Sequence, residues 1–282
     1  MLCQFGIFFL IYMGMKRYLC YRLTIAVLLL NSCDMLETHP YDTHITGDTD
    51  INKKNIKRIE DGLKDKTTFR FAMISDTQRW YDETNDVIEA INRRGDVDFI
   101  LHGGDQSDFG VTKEFIWMRD ILNKLNAPYV CVIGNHDCLG TGRDTYRTIY
   151  GVTNFAFTAG NMRFICMNTN ALEYDYSEPV PDFNFMDNEL ANMPEGIMKT
   201  AFLMHAAPKS DVFNNNVNEI FKKYVTHFPG LQFCMYGHSH SLSVEELFDD
   251  GVLYYQCPNI NKRIYLLFTI HEEGYEYEAV EF

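Results

Sequence analysis

Five segments of this 282-residue chain have the pattern of buried strands and end in side chains that can bind a metal ion. In chain order these side chains belong to Asp76 and Gln78, Asp105, Asn135 and His136, His205, and His238 and His240. Carboxylate, amide and imidazole groups together suit borderline divalent metals such as manganese, iron, zinc or cobalt. The set is larger than one tetrahedral ion uses, so two ions about 3.5–4 Å apart with a bridging carboxylate explain it better. Such ion pairs promote in-line displacement at phosphorus.

No single one of these strand ends is sufficient evidence. The apolar run 129–133 is followed by the sequence Gly-Asn-His-Asp at positions 134–137. Glycine, asparagine and aspartate also follow strands because they favour turns, so this stretch alone has a purely conformational explanation. The metal-site interpretation therefore depends on all five strand ends meeting in the folded protein.

The elements that would bring the first three ends together follow one another at regular intervals. Apolar patterns predict strands over 69–75, 98–102 and 129–133, separated by helices over 83–93 and 115–125. Asp76, Asp105 and Asn135 lie 29 and 30 residues apart (76 to 105 and 105 to 135), as one β-α-β unit each requires. We expect these ends side by side at the carboxyl edge of one parallel sheet, where open α/β sheets form binding sites.

In the second half of the chain, strands and helices no longer alternate regularly. Its apolar patterns predict a strand pair over 154–158 and 162–168, strands over 199–204 and 231–236, and helices over 185–193 and 217–224. An acidic, proline-containing loop is expected at 171–183. Three further strands, over 252–257, 263–271 and 275–282, are expected to close the chain as an antiparallel set. We interpret residues 67–282 as one layered α/β domain.

The ordered set of strand ends resembles the calcineurin-like metallophosphoesterase superfamily from about residue 71 to residue 240. The motifs that carry the resemblance are Gly-Asp-Gln-Ser-Asp at 104–108, Gly-Asn-His-Asp at 134–137, the single His205, and Gly-His-Ser-His at 237–240. The resemblance implies a central β-sandwich of mixed strands flanked by helices, with a dinuclear metal site at the carboxyl ends of the strands. It also implies hydrolysis of a phosphomonoester or a phosphodiester by a hydroxide that bridges the two ions.

The resemblance also assigns a role to each residue. Asp76, Gln78, Asp105 and His240 would hold the first of two divalent ions (Mn, Fe, Zn, Co or Mg). Asp105 would bridge to the second ion, and Asn135, His205 and His238 would complete its coordination. His136 would contact the phosphate and help to protonate the leaving group, with Asp137 orienting it. Asp108 would fix the surrounding loop.

One position departs from the family pattern. The first motif of the family is usually Asp-x-His, and Gln78 stands where that histidine is expected. A glutamine oxygen is a weaker and harder donor than imidazole, which predicts looser binding of the first ion and a bias toward manganese or magnesium over zinc. The alternative is a non-catalytic surface lipoprotein that uses a degenerate phosphoesterase fold to bind a ligand or partner.

The first 33 residues differ in composition from the rest of the chain. They contain Lys16, Arg17 and Arg22, no acidic residue, and the apolar run 23–30 followed by Leu-Asn-Ser-Cys at 30–33. This pattern predicts a bacterial lipoprotein leader with Cys33 as the lipidated residue, a natural start at Met15 and a location in the cell envelope. The alternative is an N-terminal transmembrane anchor. Residues 34–66 are interpreted as a tether that ends in a short docking helix over 51–63.

Charge and cysteine content restrict the partners. The formal charge of −14 argues against a nucleic-acid-binding surface. The resemblance implies a small-molecule, glycan or nucleotide phosphoester as substrate. Outside the leader there are five cysteines, an odd number that lies mostly in apolar runs: Cys131, Cys138, Cys166, Cys234 and Cys257. This pattern predicts buried, unpaired thiols.

Several other polar or aromatic residues have structural explanations at least as good as functional ones. We interpret His102 as a packed core histidine. Trp80, Tyr81 and Phe109 follow predicted ligands closely and either bound a substrate pocket or simply pack. Arg143 and Arg147 are candidates for contact with a phosphate from the loop after Asp137, and Asn168 and Asn170 either line the cleft or form a turn.

Overall fold

Two mixed β-sheets flanked by helices form the framework of the protein in a computed structural model that describes residues 44–175 and 177–282. The strands are β1 (Phe69–Ile74), β2 (Phe99–His102), β3 (Tyr129–Cys131), β4 (Phe155–Ala159), β5 (Met162–Met167), β6 (Lys199–Met204), β7 (Leu231–Tyr236), β8 (Ser243–Glu245), β9 (Tyr254–Gln256), β10 (Ile264–His271) and β11 (Gly274–Glu281). The helices are α1 (Ile51–Leu63), α2 (Tyr81–Arg94), α3 (Thr112–Leu122), α4 (Gly142–Ile149), α5 (Phe183–Ala191) and α6 (Asn218–His227). The predicted fold class is confirmed.

The first sheet has the strand order β11-β10-β1-β2-β3 and the second β4-β5-β6-β7-β9-β8. Strands β1, β2 and β3 run parallel, with Ile74 opposite His102 and His102 opposite Cys131. In the second sheet β5, β6 and β7 are also parallel. The carboxyl ends of β1, β2 and β3 therefore lie at one edge of the first sheet, which confirms their expected arrangement. The carboxyl ends of β6 and β7, the other two predicted ligand-bearing strands, lie together at one edge of the second sheet.

Apolar side chains from both sheets fill the space between them. Phe71 stacks on Phe99 at 5.2 Å and on Phe268 at 4.9 Å between ring centroids within the first sheet. Phe99 also meets Phe157 and Phe164 of the second sheet edge-on, at 5.8 and 5.5 Å. Offset and edge-on aromatic pairs stabilise beyond the area that they bury. This aromatic core fixes the two sheets relative to each other, and with them the two halves of the site.

The outer faces of the sheets are covered by helices. Helices α2, α3 and α4 pack on the first sheet through side chains such as Ile88, Phe115 and Tyr146. Helices α5 and α6 pack on the second sheet through Met186 and Phe221. The result is four layers, helix-sheet-sheet-helix, in which each strand of the site is buried on both faces.

Helix α1 covers the edge of β3 with amide side chains. The side chain of Asn52 donates a hydrogen bond from Nδ2 to the carbonyl of Cys131 (2.8 Å) and accepts one at Oδ1 from the N–H of Cys131 (2.9 Å). Asn55 Nδ2 donates to the carbonyl of Tyr129 (2.8 Å). The backbone groups that β3 would otherwise present at the sheet edge are thereby paired. This helix belongs to the same compact unit as the two sheets.

Three sequence-based expectations about elements are wrong. The segment around residues 252–257 forms β9, which pairs in parallel with β7 in the second sheet, so the last three strands are not one antiparallel set. An apolar pattern predicts a strand but does not identify its partner. Strand β8 was not predicted because Ser-Val-Glu lacks an apolar alternation, and α4 lies where a loop was expected because only Tyr146 and Ile149 mark its buried face.

The predicted leader, Met15 and Cys33 lie outside the described residues. Within the part of the chain that the structure describes, no helix has the length and apolar character needed to cross a bilayer. The five cysteines at 131–257 are buried and unpaired, as predicted.

Candidate metal centre

The carboxyl ends of β1, β2, β6 and β7 bring the predicted ligands together through sharp turns. The backbone is left-handed at four of these residues, with φ of +53° at Asp76, +61° at Asp105, +69° at His238 and +59° at His240. Such conformations are unfavourable for residues other than glycine and cluster at functional sites, where the surrounding structure enforces them. Each turn directs a polar side chain inward directly after a buried strand.

Asp105 lies at the centre of the cluster. Ligand atoms of Asp76, Asp105 and His205 all lie within 4.8 Å of one another, and the three residues are almost completely buried. Asp105 Oδ1 accepts a hydrogen bond from the backbone N–H of His136 (3.0 Å). Its other oxygen, Oδ2, lies 3.4 Å from His205 Nε2 and 3.3 Å from Gln78 Nε2. This carboxylate therefore faces both predicted metal positions.

The residues predicted for the second ion converge on one point. Asn135 Oδ1 lies 2.9 Å from His205 Nε2 and 3.0 Å from His238 Nδ1. The other ring nitrogen of His205, Nδ1, donates to the carbonyl of Gly103 (2.8 Å), which leaves Nε2 facing the cluster. Metal-bound histidines are usually held in this manner by a hydrogen bond from the nitrogen that does not bind metal.

The residues predicted for the first ion form a neighbouring group. His240 Nε2 lies 3.3 Å from Asp76 Oδ1, and the Gln78 amide contacts Asp105. Among the described residues, Gln78 Oε1 is a buried oxygen without a hydrogen-bond donor, and the buried Asp76 Oδ1 has only the His240 ring beside it. Buried oxygens normally have a donor or bind a cation, so these two atoms fit a metal position.

The protonation behaviour of the cluster also favours a cation there. Burial lowers the pKa of His205, but the Asp105 and Asp76 carboxylates outweigh burial and raise the pKa to about 10. Burial raises the pKa of Asp105, but His205 and His136 outweigh it and hold the pKa below its ordinary value. The Asp76 carboxylate raises the pKa of His240. The buried carboxylates thus attract positive charge, which a divalent ion would supply.

Two glycines leave the room that this packing requires. A Cβ atom at Gly134 would be driven into Asp105 Oδ1, and one at Gly237 would lie 2.6 Å from Asp76 Oδ2. Both glycines belong to the motifs singled out from the sequence. Donor types, orphaned oxygens and close backbone approach all fit divalent ions held by the predicted residues.

Asp137 has a different task from the one predicted. Its carboxylate accepts hydrogen bonds from four backbone N–H groups, at 2.8–2.9 Å, and from the Ser107 hydroxyl at 3.2 Å. The four N–H groups belong to Asp105, Gln106, Ser107 and Gly134. Burial and the Asp105 charge raise the pKa of Asp137 to about 7, whereas these backbone donors favour its ionised form. Asp137 therefore fixes the loop after β2 and does not orient His136.

His136 is oriented by Asp108. Its Nδ1 donates to the Asp108 carbonyl (2.7 Å), so Nε2 is the nitrogen left for a substrate, and one third of the side chain is exposed. Asp108 itself is anchored because its backbone N–H donates to Glu114 (3.1 Å) and its carboxylate pairs with Arg79. The sequence motifs contained His136 and Asp108 but not the contact between them.

The structure gives contacts for four of the residues that had alternative explanations. His102 is a core residue, as predicted: Thr77 Oγ1 lies 2.9 Å from Nε2, Nδ1 accepts from Gly104 N–H, and burial lowers the pKa to about 4. Asn170 is buried and donates to the carbonyl of Ile133 (2.9 Å). Arg147 lies 3.7 Å from Glu178, and Arg143 lies over the Tyr174 ring.

Two side chains that the sequence did not single out contact predicted ligands. Ser75 Oγ donates to Asp76 Oδ2 (2.5 Å), and Asp211 Oδ1 lies 2.9 Å from His238 Nε2. Ser75 directly precedes a predicted ligand, which is a usable signal. Asp211 lies on the loop after β6 without any motif, so only the fold reveals its position.

Comparison with protein families gives one clear match. The model of the family described as calcineurin-like phosphoesterase matches residues 69–242. This span begins with β1 and includes every predicted ligand. A curated relative, described as a 3',5'-cyclic-nucleotide phosphodiesterase from Nostoc sp., is 26% identical over 158 residues. The aligned part is 52% of this chain and 57% of the relative, so the chain spans little more than half of that protein.

Solved structures show the same fold at low sequence identity. A dimetal phosphatase from Danio rerio is 13% identical with a TM-score of 0.62, over 76% of this chain and 97% of that one. GAP50, described as the anchor in the inner membrane complex of Plasmodium, is 12% identical with a TM-score of 0.57, over 77% and 85% of the two chains. A purple acid phosphatase from yellow lupin is 13% identical with a TM-score of 0.56, over 75% and 51%.

Proposed function

Because the chain belongs to the calcineurin-like phosphoesterase family, whose model covers more than half of it, we propose that this protein hydrolyses phosphoesters with two bound divalent ions. The observation that carries the proposal is the position of Asp105. Its Oδ2 faces Gln78 at 3.3 Å on one side and His205 at 3.4 Å on the other. A single buried carboxylate is thus available to two adjacent groups of donors.

The chain supplies a complete ligand set for each ion. Asp76, Gln78, Asp105 and His240 would hold one ion, and Asp105, Asn135, His205 and His238 the other. When bound, such ions supply Lewis acidity at phosphoryl oxygens and lower the pKa of a water molecule toward neutrality. The ligands for both ions come from the turns that follow β1, β2, β3, β6 and β7.

His136 is the residue that we assign to the leaving group. The Asp108 carbonyl holds Nδ1, so the partly exposed Nε2 is directed to the substrate side. With a second proton on Nε2, as imidazolium, the ring could donate a hydrogen bond to a phosphate oxygen and pass that proton to the departing alkoxide, leaving neutral His136. Asp137 contributes indirectly, because its hydrogen bonds fix the loop that carries Asp105.

The substrate class that we propose is a phosphodiester or phosphomonoester of small size, with nucleotides included. Support comes from the relative described as a cyclic-nucleotide phosphodiesterase and from the acidic net charge, which disfavours polynucleotides.

We also propose that the mature protein is attached to a bacterial membrane through a lipid on Cys33. Replacement of Cys33 by alanine should release the protein from the membrane fraction; retention of the variant would refute this attachment.

The decisive experiment joins metal analysis with turnover. The chain lacking residues 1–33 would be loaded separately with Mn, Zn, Fe and Mg and tested on nitrophenyl phosphate, bis(nitrophenyl) phosphate and 3',5'-cyclic nucleotides. We expect near two equivalents of metal per chain and turnover of at least one ester. Absence of both metal and turnover would favour the non-catalytic lipoprotein.

A further inference from the structure

Asp211 is a carboxylate beside the candidate site that belongs to none of the sequence motifs. It lies on the loop between β6 and α6, six residues after His205. Its Oδ1 lies 2.9 Å from His238 Nε2, while His238 Nδ1 lies 3.0 Å from Asn135 Oδ1. Both nitrogens of the His238 ring are therefore engaged, one by the loop carboxylate and one at the candidate metal position.

This pattern has a direct chemical consequence for His238. A carboxylate at Nε2 favours the proton on that nitrogen and leaves the Nδ1 lone pair directed toward Asn135. It also fixes the ring orientation, as such partners do for metal-binding histidines. We propose that Asp211 is a positioning residue that orients His238 and increases the affinity of the protein for the second metal ion. This inference rests on the proposed function.

The loop places the Asp211 carboxylate at a defined position, although 83% of its side chain is exposed. The Asn215 side chain accepts from the N–H of Lys209 (2.8 Å) and donates to the carbonyl of Ser210 (2.7 Å). Directly after Asp211, Val212 is buried and its carbonyl accepts from the N–H of Leu172 (3.1 Å). Asp211 is thus held from both sides by residues that do not contact the site.

The same exposure separates positioning from a structural role. An ion pair at this degree of exposure contributes little to folding, because solvent screens it. Removal of Asp211 should therefore leave the unfolding transition of the metal-free protein unchanged. The effect should be confined to metal binding at the site that His238 completes.

The test is calorimetric titration of the full chain, stripped of metal by chelation, with Mn²⁺ alone. The variants are Asp211→Ala, Asp211→Asn and, as the matched control, Glu219→Ala, which removes an exposed carboxylate eight residues further along. We expect Asp211→Ala to weaken one of two binding events by about 10-fold and to leave the other unchanged. Asp211→Asn keeps an acceptor but loses the charge, so the Mn²⁺ affinity of this variant should lie between those of the wild-type chain and of Asp211→Ala.

Each outcome decides the matter. Unchanged affinity of both sites in Asp211→Ala, or an equal loss in Glu219→Ala, would overturn the role of Asp211 and leave the proposed function intact. Failure of the wild-type chain to bind metal would overturn both. Activity that returns at saturating Mn²⁺ supports positioning, whereas a loss that saturating metal does not restore contradicts it. If Asp211→Ala unfolds at a lower temperature, Asp211→Asn decides by the same criteria.

Discussion

The two sheets contribute to the candidate site in different ways. The edge formed by β1 and β2 presents oxygen donors that are almost completely buried, with Asp76, Gln78 and Asp105 at most 4% exposed. The edge formed by β6 and β7 presents imidazoles, and the side chains of His238 and His240 are 16% and 47% exposed. Asp105 and Asp76 each accept a hydrogen bond from a backbone N–H group, those of His136 and His238, whereas the rings of the exposed histidines contact other side chains.

This difference indicates a division of labour within the site. The oxygen side is preformed, because its hydrogen bonds come from the same turns that end the strands. The imidazole side depends on neighbours such as Asn135 and Asp211, so it should respond to substitution in a graded manner. Four predictions test this contrast.

Asp105→Asn should have the largest effect on activity. The amide keeps the shape of the side chain but removes the charge that two ions would share, so turnover should fall by at least about 100-fold. Phosphoester hydrolysis and metal content, measured on the same preparation, check the prediction. Full activity in this variant would refute the shared carboxylate.

Asp137→Ala should have the largest effect on stability. It would leave four buried backbone N–H groups without an acceptor, which predicts a loss of at least about 3 kcal/mol in the free energy of unfolding. Denaturant unfolding measures this loss. The control is Ser107→Ala, which removes the hydroxyl contact to Asp137 and the acceptor of the Gly110 N–H (3.1 Å) and should cost less, about 1–2 kcal/mol. Equal effects of the two substitutions would contradict the role of Asp137 in fixing the loop.

His205→Ala and His240→Ala compare a buried with a half-exposed imidazole. His205 is surrounded by Gly103, Asn135 and Asp105, so its loss should weaken metal binding by about 100-fold, against about 10-fold for His240, where water can replace the ring. Titration with Mn²⁺ gives both values. A larger effect at His240 would reverse the proposed contrast.

Gln78→His should have the smallest effect, because it changes the donor type and keeps a ligand in place. We expect the preference for zinc over manganese to rise by about 10-fold, since imidazole is the softer donor. Competition between the two metals, followed by elemental analysis, measures this ratio. An unchanged ratio would show that Gln78 does not contact the first ion.

The sequence was most informative where predicted ligands follow the same local pattern, a polar residue directly after an apolar strand. Asp76, Asp105 and Asn135 were placed correctly because each follows an apolar run and the intervals between them match β-α-β units. The partner of β9 was predicted wrongly because strand pairing is decided by packing between distant segments. The role of Asp76, Asp105 and Asn135 as metal ligands stays a prediction.

The roles of side chains that contact groups far away in the sequence were harder to predict. The neighbours Asp137 and His136 suggested a direct contact, but the Asp137 carboxylate reaches N–H groups some 30 residues earlier in the chain. The contact from Asp211 to His238 joins two loops that are 27 residues apart. No spacing rule predicts such contacts, because they arise only when two strand ends meet.

Helix α1 has a consequence for association between molecules. Strand β3 ends the first sheet, and an open strand edge accepts strands from other copies of the same chain. The amides of Asn52 and Asn55 occupy the positions that such a strand would use. Helix α1 therefore shields this strand edge from pairing with a strand of another copy. A chain that begins at residue 67 lacks this helix. It should form aggregates rich in intermolecular β-structure, while its site residues remain unchanged.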